Sequence, residues 1–258
     1  MAGTGEPECR TTSGGDVLST GDASHYQGSE LELFAGALHW KDYWSRWLAP
    51  RVRGRVLDVG AGLGASARLF AGNPSISSYL ALEPDGELAG RMRAAARGAG
   101  FPREFAVACG TLADVDANDC FDTILYIDVL EHIEDDAGEL ERAAAHLAPG
   151  GRVIVLSPAH GFLYSPFDAA IGHVRRYDRR SLRRAVPSTL AVEEIAYLDS
   201  VGMLASLGNR LLLRAALPTR GQIALWDQWM VPVSRRLDPL LGRRFGKTIV
   251  AVLRQAGA

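Results

Sequence analysis

A cluster of glycines follows the first strongly apolar, strand-like segment of the chain. The segment V-L-D-V-G-A-G-L-G spans residues 56–64, so its apolar part runs directly into three glycines at alternate positions. Glycine lets the backbone turn sharply and lets a ligand lie against main-chain N–H groups near a helix start. Because Gly60, Gly62 and Ala65 also fit the degenerate dinucleotide fingerprint, the turn predicts a nucleotide-type ligand and leaves its identity open.

Acidic side chains stand at the ends of two strand-like segments. Asp58 precedes the first glycine by two residues, where a carboxylate can organise the turn or face a cationic end of a ligand. Glu83 closes the segment Y-L-A-L-E-P-D, where it can accept hydrogen bonds from both hydroxyls of a ribose. Two further motifs follow in order along the chain, D-V-L-E-H at 128–132 and L-A-P-G-G at 147–151.

Together, these motifs resemble those of the class I S-adenosylmethionine-dependent methyltransferases, from about Leu31 to the C-terminus. The resemblance implies that S-adenosylmethionine is the cofactor. The glycine turn would contact its methionine part, Glu83 its ribose, the turn after the third strand its adenine, and Asp128 the sulfonium side. The family commonly has an acidic residue after the glycine of that third-strand turn, whereas this chain has Gly110-Thr111. With Asp58, the predicted cofactor residues of these turns are Gly60, Ala61, Gly62, Glu83, Pro84, Thr111, Leu112 and Asp128.

Two other segments resemble a narrower bacterial subgroup whose members often accompany glycosyltransferases or natural-product pathways. They are E-L-F-A-G-A-L-H-W-K-D-Y-W before the glycine turn and I-G-H-V-R-R-Y at 171–177. The resemblance implies an N-terminal helix that covers the cofactor, with His39, Trp40 and Tyr43 above the site. The alternative is core packing, which we favour for Trp44 and Trp47 and leave open for Tyr43.

Three histidines follow the ends of predicted strands, where ligands bind in open α/β sheets. An oxygen or nitrogen acceptor of a methyl group can need a general base, and histidine titrates near neutrality. His132, His160 and His173 are the candidates, and His173 is slightly favoured because it borders the expected acceptor pocket. For His132, a hydrogen bond that pins the loop is an equal alternative. No metal site is predicted.

The densest charged run of the chain lies between residues 175 and 184. Asp178 is a predicted helix cap, and the four arginines that follow it are expected to form a solvated helix face: Arg179, Arg180, Arg183 and Arg184. Arg175 and Arg176 come before that cap. Since arginine binds carboxylate and phosphate in a bidentate manner, we expect these two, with Tyr177, to bind an anionic part of the acceptor.

Strand-like and helical segments alternate through most of the sequence, which indicates an α/β fold with a doubly wound, mostly parallel sheet. The resemblance implies seven strands, an N-terminal covering helix and a C-terminal helical insert. We expect a flexible tail over 1–28 and a single domain over 29–258. The helical insert, at about 201–241, has four alternative roles: packing over the sheet edge, a lid, an acceptor pocket or a homodimer face.

The composition narrows the classes of partner. A formal net charge of −2 gives no global positive field for nucleic acid, and no apolar run reaches the ~20 residues of a membrane span. Three cysteines without metal-ligand spacing favour a reducing, cytoplasmic setting. The predicted function is therefore methylation of O, N or C of a small molecule. The alternatives are a nicotinamide-dependent oxidoreductase and a cofactor-binding protein or cyclase without methyl transfer.

Overall fold

The computed structural model describes Phe34, residues 36–208 and residues 219–257, and the predicted tail over 1–28 lies outside these residues. Among the described residues, strands and helices alternate as the sequence predicts. The strands are β1 (Gly54–Val59), β2 (Ile76–Glu83), β3 (Phe105–Cys109), β4 (Phe121–Ile127), β5 (Leu147–Pro158), β6 (Leu190–Leu198) and β7 (Thr248–Gln255). The helices are α1 (Leu38–Leu48), α2 (Ala65–Phe70), α3 (Gly86–Ala96), α4 (Asp136–Ala145), α5 (Pro166–Ala170), α6 (Arg179–Ala185), α7 (Ser200–Gly208), α8 (Arg220–Leu225) and α9 (Val231–Leu240).

The seven strands form one sheet in the order β3-β2-β1-β4-β5-β7-β6. Strands β1 to β5 pair in parallel, while β7 lies antiparallel between β5 and β6. Alternate residues of the central strands pack on opposite faces, with Leu57 and Val153 in one buried cluster and Val56 and Ile154 in the other. The predicted fold, a Rossmann-like seven-stranded and mostly parallel sheet, is confirmed.

The motif L-A-P-G-G forms the first five residues of β5, which begins at Leu147. Leu147 pairs with Phe121, and the register shifts before Arg152 pairs with Thr123. Gly151 sits at this irregularity, where an added Cβ would lie 2.9 Å from the carbonyl oxygen of Phe121. The close backbone approach explains why glycine stands at this position.

Helix α1 buries the aromatic stripe that the sequence indicates. Trp40, Tyr43 and Trp44 are buried, and the helix ends at Leu48, just before Pro50. Trp47 is partly buried, and its ring lies 3.9 Å from the guanidinium carbon of Arg51. These contacts are those of core packing, as expected for Trp44 and Trp47.

The C-terminal insert consists of α7 and of a helical stretch in which a π-helical turn, Trp226–Met230, joins α8 to α9. Two buried carboxylates of the insert accept hydrogen bonds from the rest of the fold. Asp227 accepts hydrogen bonds from the backbone N–H groups of His39 and Trp40 in α1. Asp238 accepts one from the N–H of Asp199, the residue after β6. No helix among the described residues is both long and apolar enough to span a membrane.

Candidate active site

The glycine turn lies at the carboxyl edge of the sheet, between β1 and α2. Gly60 and Gly62 have φ angles of 65° and 58°, a region that glycine adopts without strain. A Cβ at Gly60 would stand 2.7 Å from a methyl carbon of Val129, in the loop after β4. The N–H of Ala61 donates to the carbonyl oxygen of Leu82 at 3.0 Å. The turn is therefore held against the end of β2 and the loop after β4.

Glu83 locks this turn to the end of β2. Its two carboxylate oxygens accept N–H hydrogen bonds from Gly62 at 2.7 Å and from Asp85 at 2.9 Å. Burial raises the pKa of Glu83, although these two hydrogen bonds oppose the shift. Asp85 in turn caps α3 through the N–H groups of Glu87 and Leu88. Each carboxylate oxygen has two lone pairs, so the oriented carboxylate keeps acceptor capacity for ligand hydroxyls, which fits the predicted ribose contact.

Asp58 points into the protein beneath the turn. It is buried and accepts a hydrogen bond of 2.8 Å from the hydroxyl of Tyr79. Burial raises its pKa to about 7, against the opposing effect of the Tyr79 hydrogen bond and with a further contribution from the charge of Glu83. This position favours the first of its two predicted roles, organising the turn, over contact with a cationic end of the ligand.

We expect the pH dependence of folding to reveal this carboxyl group. Because its folded pKa lies above the ordinary value of 3.8, the folded state binds more protons between about pH 4 and pH 7. Its stabilising contribution is complete below this window and is lost as the pH rises through it. In Asp58→Asn the amide oxygen can still accept the hydrogen bond from Tyr79, but the side chain no longer titrates. The decline in unfolding free energy as the pH rises should therefore be smaller in the variant than in the wild type, by about 2–4 kcal/mol. Urea unfolding at pH 5 and pH 7.5 measures it, and an unchanged slope in the variant would contradict the assignment.

The turn after β3 carries the predicted adenine residues. Thr111 is exposed, and its N–H and hydroxyl both donate to the carboxylate of Asp114, which closes a short 3₁₀ turn. These hydrogen bonds lower the pKa of Asp114. Leu112 is buried in that turn, and Pro84 is exposed beside the end of β2. The chain therefore has no acidic residue directly after Gly110, and the acidic residue of this turn is Asp114, whose carboxylate holds the turn together.

The loop after β4 begins with Asp128, an exposed residue with a φ angle of 54°. A positive φ is uncommon for a residue other than glycine, and such strain is concentrated at functional sites. The N–H of Asp128 donates to the carbonyl oxygen of Leu156 in β5, which holds this conformation. Residues 130–132 then form a 3₁₀ turn that takes Glu131 and His132 below the loop.

Two of the three candidate histidines meet beneath this loop. The rings of His132 and His173 stand edge to face with centroids 4.6 Å apart. Nδ1 of His173 lies 2.9 Å from Asp168, and its Nε2 lies 3.8 Å from Oε1 of Glu131. Burial and the nearby His173 lower the pKa of His132 to about 4, so its imidazole is neutral at physiological pH.

Glu131 is fully buried within this cluster. Its Oε2 accepts a 2.6 Å hydrogen bond from the hydroxyl of Ser157, whereas its Oε1 is buried without a hydrogen-bond partner among the described residues. Burial and the charge of Asp128 raise its pKa well above the usual value. Ligand atoms of Glu131, His132 and His173 all lie within 4.8 Å of one another, so this group has the donors to hold either shared protons or a cation.

Comparison with known proteins identifies this arrangement. A family model described as a methyltransferase domain matches residues 34–188, more than half of the chain. The chain belongs to this methyltransferase family. The predicted resemblance to the class I enzymes, whose cofactor is S-adenosylmethionine, is thereby confirmed, and the nicotinamide-dependent alternative is not supported.

Individual relatives of the methyltransferase are distant. The ubiquinone/menaquinone biosynthesis C-methyltransferase of Dinoroseobacter shibae is 32% identical over 129 residues, which cover 48% of this chain and 51% of that protein. The chain spans about half, or less, of the length of the curated relatives it matches. Solved structures with the same fold include a geranyl diphosphate methyltransferase in complex with S-adenosylmethionine, with a TM-score of 0.60, 13% identity and coverage of 90% and 92% of the two chains. The cyclase SpnF superposes with a TM-score of 0.60 and 15% identity, covering 90% and 95%.

His160 of the methyltransferase does not join the other two histidines. Its ring is stacked between those of Phe162 and Tyr197, with centroids 5.0 Å and 4.9 Å away. Burial lowers its pKa, and its Nε2 is buried without a hydrogen-bond partner among the described residues. This contact set favours a packing role for His160 over the predicted role as a base.

Residues 175–177 all make contacts within the protein, and their binding of the acceptor stays a prediction. Arg176 forms a bidentate pair with Asp168, and Arg175 pairs with Asp136 and with the carbonyl oxygen of Glu134. Tyr177 is almost fully buried, and its hydroxyl donates to Asp136 at 2.7 Å. The sequence showed the bidentate donors correctly, but the carboxylates that they meet belong to the protein itself.

Tyr43 also makes hydrogen bonds within the protein. Its hydroxyl donates to Asp238 at 2.7 Å and accepts from Arg243 at 2.7 Å, so it joins α1 to the C-terminal insert. Burial, followed by the hydrogen bond to Asp238, raises its pKa. These contacts favour the packing alternative for Tyr43, and its contact with the cofactor stays a prediction.

Three charged residues near the carboxyl edge were not predicted as site residues. Glu131 belongs to the D-V-L-E-H motif, and the signal that could have identified it is its position one residue before His132. Asp168 gives no such signal, because its partners follow it by five and eight residues in an irregular segment. Lys247 lies with its Nζ 3.6 Å from Asp199 and 3.6 Å from the ring centre of Trp226. Both contacts depend on the fold.

Proposed function

We propose that this methyltransferase uses S-adenosylmethionine to methylate a small molecule. The observation that carries the proposal is Glu83, whose carboxylate is fixed by the N–H groups of Gly62 and Asp85 at the end of β2. A fixed carboxylate with spare lone pairs suits the two vicinal hydroxyls of a ribose. The glycine turn beside it exposes backbone to the methionine part of the same ligand. Thr111, Leu112 and Pro84 border the adenine side.

The protein's contribution to such a reaction is mainly alignment. When bound, S-adenosylmethionine supplies a methyl group already activated by its sulfonium. The chain holds the cofactor and the acceptor in line, and positioning of this kind can contribute several kcal/mol, by order of magnitude, to barrier lowering. Asp128 stands at the edge of the crevice, where its carboxylate can face a cationic centre.

We assign the proton-accepting role to His173, with Asp168 as its positioning residue. A carboxylate that accepts from Nδ1 fixes the ring orientation and tautomer and leaves Nε2 as the basic atom. The contact between His173 and Asp168 has this form, whereas the low pKa of His132 makes it a poor proton acceptor.

His173→Asn is expected to lower kcat for methyl transfer by about 10²- to 10⁴-fold, with little change in the KM for S-adenosylmethionine. The asparagine amide can still donate to Asp168, so the loss would reflect the missing basic atom. His146→Asn is the matched control, because Nδ1 of His146 bonds the carbonyl oxygen of Asp119 away from the crevice. Full activity of the His173 variant would contradict the assignment, and inactivation by EDTA would show that the cluster holds a cation instead.

The acceptor is a small molecule in this proposal, and its apolar character is supported by relatives named for quinone biosynthesis and by a fold neighbour named for geranyl diphosphate. Calorimetry with S-adenosylmethionine and with NAD tests the cofactor. Detection of S-adenosylhomocysteine in the presence of metabolite fractions tests the transfer. Binding of NAD in place of S-adenosylmethionine would refute the proposal. Tight cofactor binding without turnover on any fraction would support the cyclase or cofactor-binding alternative.

A further inference from the structure

The helical stretch from Arg220 to Leu240 has two very different faces. Val231, Ser234 and Asp238 recur at three- and four-residue steps and are buried against the fold. Trp229, Val233 and Leu240, spaced by four and seven residues, lie on the opposite side of the helix. Their exposed fractions are 70%, 44% and 83%. A large apolar stripe therefore faces outward on an element that is otherwise well anchored.

Apolar exposure is concentrated in this part of the molecule. Of the twelve large apolar side chains that are exposed within the described part of the chain, seven belong to residues 225–245. Single exposed apolar residues are normal, but a contiguous set marks an interaction surface. We call this set the apolar face: Leu225, Trp229, Val233, Leu237, Leu240, Leu241 and Phe245.

The charges around the apolar face have one sign. Between residues 219 and 246, every exposed charged side chain is an arginine, at positions 220, 235, 236 and 244. The two acidic residues of the same segment, Asp227 and Asp238, are buried. Across the helix, Asp42 of α1 pairs with Arg235 at 2.8 Å and also with Arg46. The segment thus presents a basic, apolar surface, although the whole chain carries a net charge of −2.

We propose that the apolar face binds the surface of a bilayer containing anionic phospholipid, with the helix lying in the interface plane. A helix with an apolar stripe, a tryptophan and flanking arginines has the composition of an interfacial helix. Arginine attracts anionic headgroups, and its aliphatic stem follows the apolar side chains into the interface.

Charge favours a bilayer over a second copy of the chain, the homodimer face considered among the roles of the insert. In a two-fold symmetric dimer built on this face, every exposed charged group that either copy brings from residues 219–246 would be an arginine. Such like-charge contacts are unfavourable, whereas phosphate headgroups complement them. The inference does not depend on the identity of the methyl acceptor, because it concerns only how the chain reaches a membrane surface.

Binding of the full-length chain to lipid vesicles tests the proposal. One set of vesicles is phosphatidylcholine alone, and the other contains about a third phosphatidylglycerol. We expect the protein to sediment with the anionic vesicles, with an affinity about tenfold or more above that for the neutral ones and decreasing with salt. Equal affinity for both, or no binding at low salt, would overturn the proposal.

Variants separate the two components of the surface. The first double variant, Trp229→Ser with Leu240→Ser, reduces the apolar component, and the second, Arg236→Glu with Arg244→Glu, reverses two of the basic charges. Each should weaken binding to anionic vesicles about tenfold or more. Leu69→Ser and Arg183→Glu remove exposed apolar and basic groups elsewhere and should bind as wild type does. Circular dichroism confirms folding of each variant. Light scattering tests whether the wild-type chain forms a dimer. If it does, and if the double variant at Trp229 and Leu240 is monomeric but still binds vesicles as the wild type does, the apolar face is a dimer interface and the proposal fails.

Discussion

Glu83→Gln is expected to weaken S-adenosylmethionine binding by about 100-fold, because glutamine keeps one oxygen acceptor and loses one charge-assisted hydrogen bond to ribose, which is worth about 1.5–3 kcal/mol. The substitution also disturbs the turn itself. One carboxylate oxygen accepts a hydrogen bond from the N–H of Gly62, and the other accepts one from the N–H of Asp85. In either orientation of the glutamine amide, its NH2 group would therefore face one of these two N–H donors. Calorimetric titration of the cofactor gives the dissociation constant.

The matched control for this effect is Glu104→Gln. Glu104 is exposed and stands just before β3, at the opposite edge of the sheet from the glycine turn. Its removal should leave cofactor affinity unchanged within about twofold, since surface changes away from a site are usually small. A Glu83 variant that binds as well as this control would refute the ribose contact.

Asp168→Asn is expected to destabilise the fold by about 3–5 kcal/mol, which corresponds to a fall in Tm of about 10 °C. The carboxylate accepts hydrogen bonds from Ser165, from His173 and, in a bidentate manner, from Arg176. Although burial opposes it, the hydrogen bonds from His173 and Arg176 lower the pKa of Asp168. An asparagine would direct one N–H group towards these donors and leave the arginine without its counter-ion.

Asp178→Asn provides the comparison on the neighbouring helix. Asp178 caps α6 through the N–H groups of Arg180 and Ser181, and asparagine caps a helix about as well as aspartate does. The control should therefore change stability by less than about 0.5 kcal/mol. Thermal unfolding measured for both variants in one buffer distinguishes them. If Asp168→Asn unfolds at the wild-type temperature, the network around Arg176 is not what holds the segment after β5.

The strands and the cofactor turn were accessible from the sequence because their signals are local. A buried strand that ends in glycine, as at Gly60, must turn where it ends, and a carboxylate such as Glu83 follows directly from the next strand. In each case, the information lies within about ten residues.

The partners of the arginines and of Tyr43 were not accessible in this way. Arg176 could meet a carboxylate on the acceptor or on the protein, and only the path of residues 158–173 brings Asp168 to it. Tyr43 bonds Asp238 and Arg243, which are about two hundred residues away in sequence. Such contacts depend on how the insert folds back over α1, and no local spacing encodes that path. The sequence identified the side chains that can form hydrogen bonds and ion pairs, whereas the fold determines which partners those side chains have.

Strand β7 imposes an order on how the molecule is made. It is the last strand along the chain, yet it is inserted between β5 and β6 and pairs with both along most of its length. While a ribosome is still synthesising residues 248–255, β5 and β6 have no partner on their facing edges, and unpaired edges invite aggregation. A nascent chain stalled before Thr248 should therefore engage chaperones, whereas a chain in which β7 has been synthesised can complete the sheet between β5 and β6.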